Sequence, residues 1–288
     1  MTDRKEDEWL YTISSKRKLI DFNFKEIWQY KDLLFLFVKR DIATLYKQTI
    51  LGPLWYLIQP LFTSVVFTLI FNNLGDIKTP GVPPFLFNLA GITAWNYFRD
   101  CLNNTSSTFI KNQNIFGKVY FPRVILPMSI TISNLLKFGI QLLIFTGFYL
   151  YYSFTGHNFG INSHIVLFPV YVIIMGMLGL GLGMIFSSLT TKYRDITVLL
   201  TFAVQLLMYL SAVPYPMSEA RLKFPPLVAK FVEYNPLTQI IEGFRYMLLS
   251  TGEFHLGRFL YTLGISIFLF LLGLVIFNRT EKSFIDTV

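Results

Sequence analysis

Charge is scarce in this 288-residue chain: Asp, Glu, Lys and Arg together make 15% of it, against roughly a quarter in an ordinary soluble domain. Too few polar groups remain to cover the surface of a soluble globule. The hydrophobic share, 53%, excludes a disordered chain. Cysteine occurs once, at Cys101. That excludes an internal disulfide framework and a cysteine-based zinc site. Three scattered histidines, His157, His164 and His255, do not rebuild a metal site. No phosphate-binding G-x-x-x-x-G-K-[ST] loop is present, since Gly117-Lys118 is followed by Val119. H-E-x-x-H and G-x-S-x-G are absent too. Asp100 is the one carboxylate inside an apolar stretch. An ion-coupled transporter uses buried carboxylates or a broken-helix ion site, and a membrane-embedded glycosyl or acyl transferase needs a base or a metal-binding acid. Neither set is supplied, so no catalytic residue and no metal ligand is assigned.

What the chain has is long apolar runs and a net charge of +8. A helix needs about 20 apolar residues to cross a bilayer. Six stretches approach that: 53–71, 84–103, 124–154, 165–189, 196–213 and 259–277. Continuous rather than alternating hydrophobicity argues against a β-barrel. The expected fold is therefore an all-α integral membrane protein with six transmembrane helices. Lys and Arg concentrate in residues 1–52, which hold ten of them, and in the connections after the second and fourth stretches. By the positive-inside rule both termini are expected in the cytoplasm. The first 23 residues are charged and lack the apolar centre of a signal peptide.

Two segments fall outside the six spans. In 24–52, Trp28, Phe35, Val38, Ile42, Leu45 and Thr49 recur at helical spacing, while Lys25, Asp32 and Lys39 lie on another face. This predicts an amphipathic helix in the cytoplasmic interface, stopped by Gly52 before Pro53 starts the first span. The second segment, 214–258, is too long for a structureless loop. It predicts two short re-entrant helices: roughly 218–231, broken by Pro225-Pro226, and one begun by the cap and first-turn pair Asn235-Pro236. The resulting division is a cytoplasmic extension 1–23, an interface helix 24–52, a transmembrane domain 53–278 and a cytoplasmic tail 279–288.

Four groups of residues, in order, resemble the membrane subunits of ABC type-2 exporters for lipid-linked polysaccharides, the O-antigen, capsule and teichoic-acid permeases. They are Arg40-Asp41 with Tyr46 to Gly52 and Trp55; Asn114 to Arg123; Tyr193 to Ile196; and Asn235-Pro236-Leu237 with Glu242 and Arg245. The resemblance covers about residues 24–280. Leu45 stands where the family often has an arginine, and Ala212-Val213-Pro214 where it often has a Ser-Pro pair. The family implies a homodimer over two copies of a separate ABC ATPase, which carries the ATP and Mg; this chain binds no cofactor itself. It implies an undecaprenyl-pyrophosphate-linked glycan as cargo, membrane lipids as surroundings and the bacterial inner membrane as location. Nucleic acid is not an expected partner.

The same resemblance assigns tasks. Arg40, Lys47 and Gln48, with the Leu51-Gly52 turn, would receive pyrophosphate at the lateral entrance; guanidinium and ammonium groups pair well with phosphate, although anchoring to anionic headgroups explains them equally. Trp55, Tyr56 and Tyr97 would line a sugar path; Tyr209 fits that path or an interfacial aromatic belt, and Tyr149, Tyr151 and Tyr152, at a span end, fit the belt better. Asn112, Asn114, Ile115, Phe116, Gly117 and Lys118 would form the helix that couples to the ATPase. Glu242 and Arg245, one turn apart, would pair at an outer gate. Lys137 calls for a carboxylate, a wet cavity or a position nearer the cytoplasm. Arg99 and Asp100, as neighbours, point apart and each calls for another partner. Gly176, Gly179, Gly181 and Gly183 permit close helix approach. A type-2 permease for a smaller lipid or drug remains the alternative, with the transferase behind it.

Overall fold

The computed structural model describes residues 28–46, 52–79, 81–116, 121–157 and 159–285, and every regular element among them is helical. The helices are α1 Lys31–Tyr46, α2 Trp55–Phe67, α3 Pro84–Ser106, α4 Thr108–Lys111, α5 Gln113–Phe116, α6 Ile125–Phe154, α7 Phe168–Lys192, α8 Ile196–Tyr209, α9 Met217–Lys223, α10 Pro226–Tyr234, α11 Pro236–Leu249 and α12 Leu256–Ile285. A 3-10 turn, Gly52–Leu54, leads into α2, and α2 continues as a π-helical Thr68–Leu74.

Helices occupy all six expected stretches. Four helical stretches among the described residues are long and apolar enough to cross a membrane: Trp55–Leu74, Ile125–Phe154, Ser163–Lys192 and Leu256–Thr280. α8 is apolar but has only 14 residues. α3 is long enough, at 23 residues, but polar. Its polarity has a structural reason: α3 is the centre of the bundle, buried without a break from Leu86 to Phe98. α2, α6, α7 and α11 pack around it. Its amide NH2 groups find partners on those helices, with Asn88 Nδ2 donating to Asn72 (2.9 Å) and Thr68, and Asn96 Nδ2 to Gln141 (3.2 Å), while Asn88 Oδ1 is buried without a partner. In apolar surroundings pairing offsets the cost of burying an amide.

Glycines set the closest approaches. A Cβ on Gly179 would stand 2.8 Å from Cys101 Cβ, and one on Gly183 would stand 2.5 Å from Thr105 Cβ, so both pack α7 on α3. Gly181 looks the other way, at α12, where a Cβ would stand 2.7 Å from Phe270 Cα. A second core closes the end of the bundle that carries α4 and α5. There Phe109 stacks on Phe277 at 4.5 Å, with Phe37, Phe121, Ile125, Met184 and Leu274 around them. At 1.5 Å per residue, α3 holds this end about 35 Å from the opposite cap.

Two expectations are corrected. The 214–258 segment forms three short helices rather than two. α9 ends at Lys223, Pro225 cannot donate to a continuing ladder, and Pro226 starts α10 afresh. α1 is apolar on two faces. Trp28 and Phe35 are exposed as an interface helix requires, but Tyr30, Leu33, Leu34 and Phe37 turn inward onto the second core and α6.

Candidate functional site: a charged seam and a pinned cap

Arg40 lies on α1, half exposed. Its guanidinium bonds the adjacent Asp41 (Nη2 to Oδ1, 2.7 Å) and rests 4.8 Å from the Phe37 ring. Lys47, Gln48, Leu51, Gly117 and Lys118 lie outside the described residues. Gly52 has φ of +46°, a conformation open to glycine and suited to stopping a helix before Pro53. Trp55 at the start of α2 is 53% exposed, while Tyr97 is buried inside the helical bundle against Phe138. That gives Tyr97 a packing position rather than an open surface. Tyr209 packs on Phe67 and Phe71, tying α8 to α2, and Tyr151 is exposed.

Tyr56 shares a seam between α3 and α6. Lys137 of α6 stands 5.1 Å from the Tyr56 ring centre and 3.8 Å from Asp100 Oδ2. The other carboxylate oxygen of Asp100 accepts from Arg99 Nη2 at 3.0 Å and Nε at 3.1 Å. Lys137 therefore finds a carboxylate. Arg99 and Asp100 bond each other, contrary to the expectation from their adjacency, because the arginine side chain is long enough to curl back. One turn along, Asn104 Nδ2 donates to Asn134 at 3.3 Å. Two cations share one anion here, in a partly exposed cluster. Removing Asp100 leaves both cations uncompensated, and a charge at membrane depth costs at least about 2.5 kcal/mol. Asp100→Asn is expected to lower the thermal midpoint of the detergent-solubilised protein more than Lys137→Met, which leaves a neutral pair. Equal shifts would show that the seam is fully hydrated.

Asn112 turns the chain between α4 and α5: its Nδ2 donates to Thr108 O at 3.0 Å, and its carbonyl accepts from Ile115 N at 2.9 Å. Asn114 and Phe116 belong to α5, and Ile115 packs on the second core. This short helical pair thus rests on the aromatic base formed with α12.

At the opposite cap, Asn235 caps α11 as expected, accepting from Leu237 N at 3.0 Å. Its Nδ2 also donates to Leu210 O at 2.9 Å. Arg245 pairs with Glu242 (Nη1 to Oε1, 3.1 Å) and is fully buried. The pair was readable; the rest of its surroundings was not. Arg245 Nη1 also donates to Ala212 O at 2.8 Å, Nη2 to Val213 O, and Nε to Phe87 O at 3.3 Å. Its guanidinium lies 3.7 Å over the Phe87 ring, and a Cβ on Gly91 would overlap Nη2. One α11 side chain thereby fixes the loop after α8 and the start of α3. Nearby, Glu233 of α10 accepts from Arg221 (2.7 Å) and Arg258 through the same oxygen. Burial pushes this carboxyl up, but the Arg221 and Arg258 guanidiniums outweigh it and hold it below the usual range. Nothing in the sequence flagged this trio, whose members are widely separated and on three different helices. Among the described residues, no group of His, Cys, Asp and Glu is arranged to hold a metal ion.

The profile of the ABC-2 type transporter family matches residues 32–249. Relatives include an O-antigen export system permease protein RfbA of Klebsiella pneumoniae, 27% identical over 88% of this chain and 94% of its own length. Another RfbA, from Myxococcus xanthus, is 26% identical over 74% of this chain and 82% of its own. The polysialic acid transport protein KpsM of Escherichia coli is 22% identical over 70% and 76%. With a bundle of apolar helices and a match over most of its length, the chain is a membrane protein that belongs to the ABC-2 type transporter family.

Proposed function

We propose that this chain is the membrane subunit of an ATP-driven exporter that moves a polyprenyl-linked, O-antigen-like polysaccharide across the bacterial cytoplasmic membrane. The observation that carries this reading is the similarity, over 70–88% of the chain, to permeases named for O-antigen export and polysialic acid transport. Two copies of the chain form the channel at their interface, and two copies of a separate ABC ATPase supply ATP, Mg and its hydrolysis. Both termini lie in the cytoplasm, with α4 and α5 facing the ATPase. α9, α10 and α11 are re-entrant at the outer face, and the Glu242–Arg245 pair holds the outer gate. The substrate pyrophosphate enters beside Arg40, Lys47, Gln48, Leu51 and Gly52, and sugars pass Trp55 and Tyr56. The docking of α4 and α5 on the Phe109–Phe277 stack supports the coupling assignment, because motion of these helices is relayed to α12 through a packed core.

Isolation from the native host in mild detergent is expected to yield an ATPase subunit in equal amount. Deletion of the permease is expected to leave lipid-linked glycan on the inner side of the membrane. Replacing residues 115–118 with glycines is expected to abolish substrate-stimulated ATP turnover while the protein still inserts. Normal glycan display in the deletion strain overturns the cargo, and normal turnover in the glycine variant overturns the coupling assignment.

A further inference from the structure

Polar pairs join α3 to α6 about one turn apart: Asn96 with Gln141 (3.2 Å), Asp100 with Lys137 (3.8 Å) and Asn104 with Asn134 (3.3 Å). Asn96 and Gln141 are buried and close this seam toward the middle of the bundle. The charged cluster next to them is open: the side chains of Arg99, Asp100 and Lys137 are 27%, 21% and 14% exposed. Its depth follows from the helices that bracket it. Asp100 stands about 9 Å of helix before the end of α3 at Ser106. Tyr56, whose ring meets Lys137, is in the first turn of α2. With the half-exposed Trp55 beside it, this is the level at which Trp and Tyr meet lipid headgroups.

The cluster is one negative charge short. Among the described residues, Asp100 is the only carboxylate within ion-pair range of either cation. Its Oδ1 accepts from both Nε and Nη2 of Arg99, which leaves Nη1 without a bond among the described residues. Lys137 Nζ lies 3.8 Å from Oδ2, too far for a hydrogen bond. The Tyr56 ring face attracts the ammonium but accepts no ordinary hydrogen bond from it. An ammonium carries three N–H donors and a guanidinium five. Reachable donors of both cations are therefore unfilled around a net charge of +1, at a depth where the negatively charged acceptors are lipid phosphates. Basic pockets between transmembrane helices bind anionic headgroups on this principle. Phosphate oxygens accept from an ammonium and a guanidinium together.

We propose that the Arg99–Lys137 seam binds the phosphate of an anionic lipid, in the leaflet on the α4 and α5 side. Lys137 and the free edge of Arg99 hold the phosphate, Asp100 keeps the two cations together, and the Asn96–Gln141 pair bars the headgroup from going deeper. A bilayer phospholipid and the pyrophosphate end of a polyprenyl-linked cargo share this chemistry; only the second source rests on the export reading. The full-length protein as isolated from its host, in mild detergent, would be titrated with phosphatidylglycerol, undecaprenyl pyrophosphate, phosphatidylcholine and oleate, with bound lipid read by native mass spectrometry. At least one of the first two is expected to bind about tenfold more tightly than phosphatidylcholine or oleate. Lys137→Gln is expected to weaken that binding about tenfold. Lys137→Arg, which keeps the charge, is expected to retain it and controls for misfolding. Tighter binding of undecaprenyl pyrophosphate than of phosphatidylglycerol assigns the seam to cargo, and the reverse order assigns it to bilayer lipid. If neither outbinds phosphatidylcholine and oleate, or if Lys137→Gln binds as wild type does, the site is overturned. Failure of the export reading shows separately, as normal glycan display after deletion.

Discussion

Arg245→Ala is expected to lower stability by about 3–5 kcal/mol, the range for breaking a buried ion pair by removing one partner. The side chain is fully buried. Its loss strands the Glu242 carboxylate and leaves the carbonyl oxygens of Phe87, Ala212 and Val213 without the donor they have now. Each stranded group adds a desolvation penalty of about 1–3 kcal/mol unless the loop relaxes. Arg245→Lys keeps the charge but offers one donor atom in place of three, and no flat group to lie over Phe87. It is expected to recover less than half of the loss. Fluorescence-detected thermal unfolding of the solubilised protein reads both variants. A fall of about 2–4 °C per kcal/mol in a chain of this size places Arg245→Ala several degrees or more below wild type. Unchanged melting would mean that the loop after α8 is held by its other bonds, those of Asn235 to Leu210 and of Tyr215 to Tyr209.

Six helical stretches were legible because an apolar run of about 20 residues has few other uses, and four helical stretches among the described residues are long and apolar enough to cross a membrane. The Asn235-Pro236 cap and the Glu242–Arg245 pair were legible because both depend on contacts within one turn. The other bonds of Arg245 were not, because backbone carbonyls at 87, 212 and 213 leave no mark in a sequence. Adjacent residues on a helix diverge at Cβ, yet Arg99 reaches back to Asp100 through its long side chain. The inward face of α1 was hidden because a helix with apolar residues on two faces has no clean period. Lys47, Gln48 and the Leu51 turn lie outside the described residues, so the entrance stands on resemblance to the family.

Gly273→Ala is expected to be among the most damaging glycine-to-alanine changes at the described residues. A Cβ there would overlap the Gly181 carbonyl oxygen, with Gly181 Cα and C each at 3.0 Å. The obstacle is backbone on a packed helix, so no side-chain rotation relieves it. α7 and α12 would have to separate, and their separation would open the contacts on both sides of the crossing, including Leu180 and Met184 against Leu274 and Phe277. Inserting volume into a packed interface costs about 1–3 kcal/mol when side chains can adjust, and here they cannot. The sequence marked Gly181 among the glycines of its span, but Gly273 only acquires meaning from the partner it faces 92 positions away. Gly264→Ala, on the same helix with nothing near its added methyl, is the matched control. The yield of monodisperse protein should collapse for Gly273→Ala and hold for Gly264→Ala. Equal yields would mean that α7 and α12 do not cross at Gly181 and Gly273.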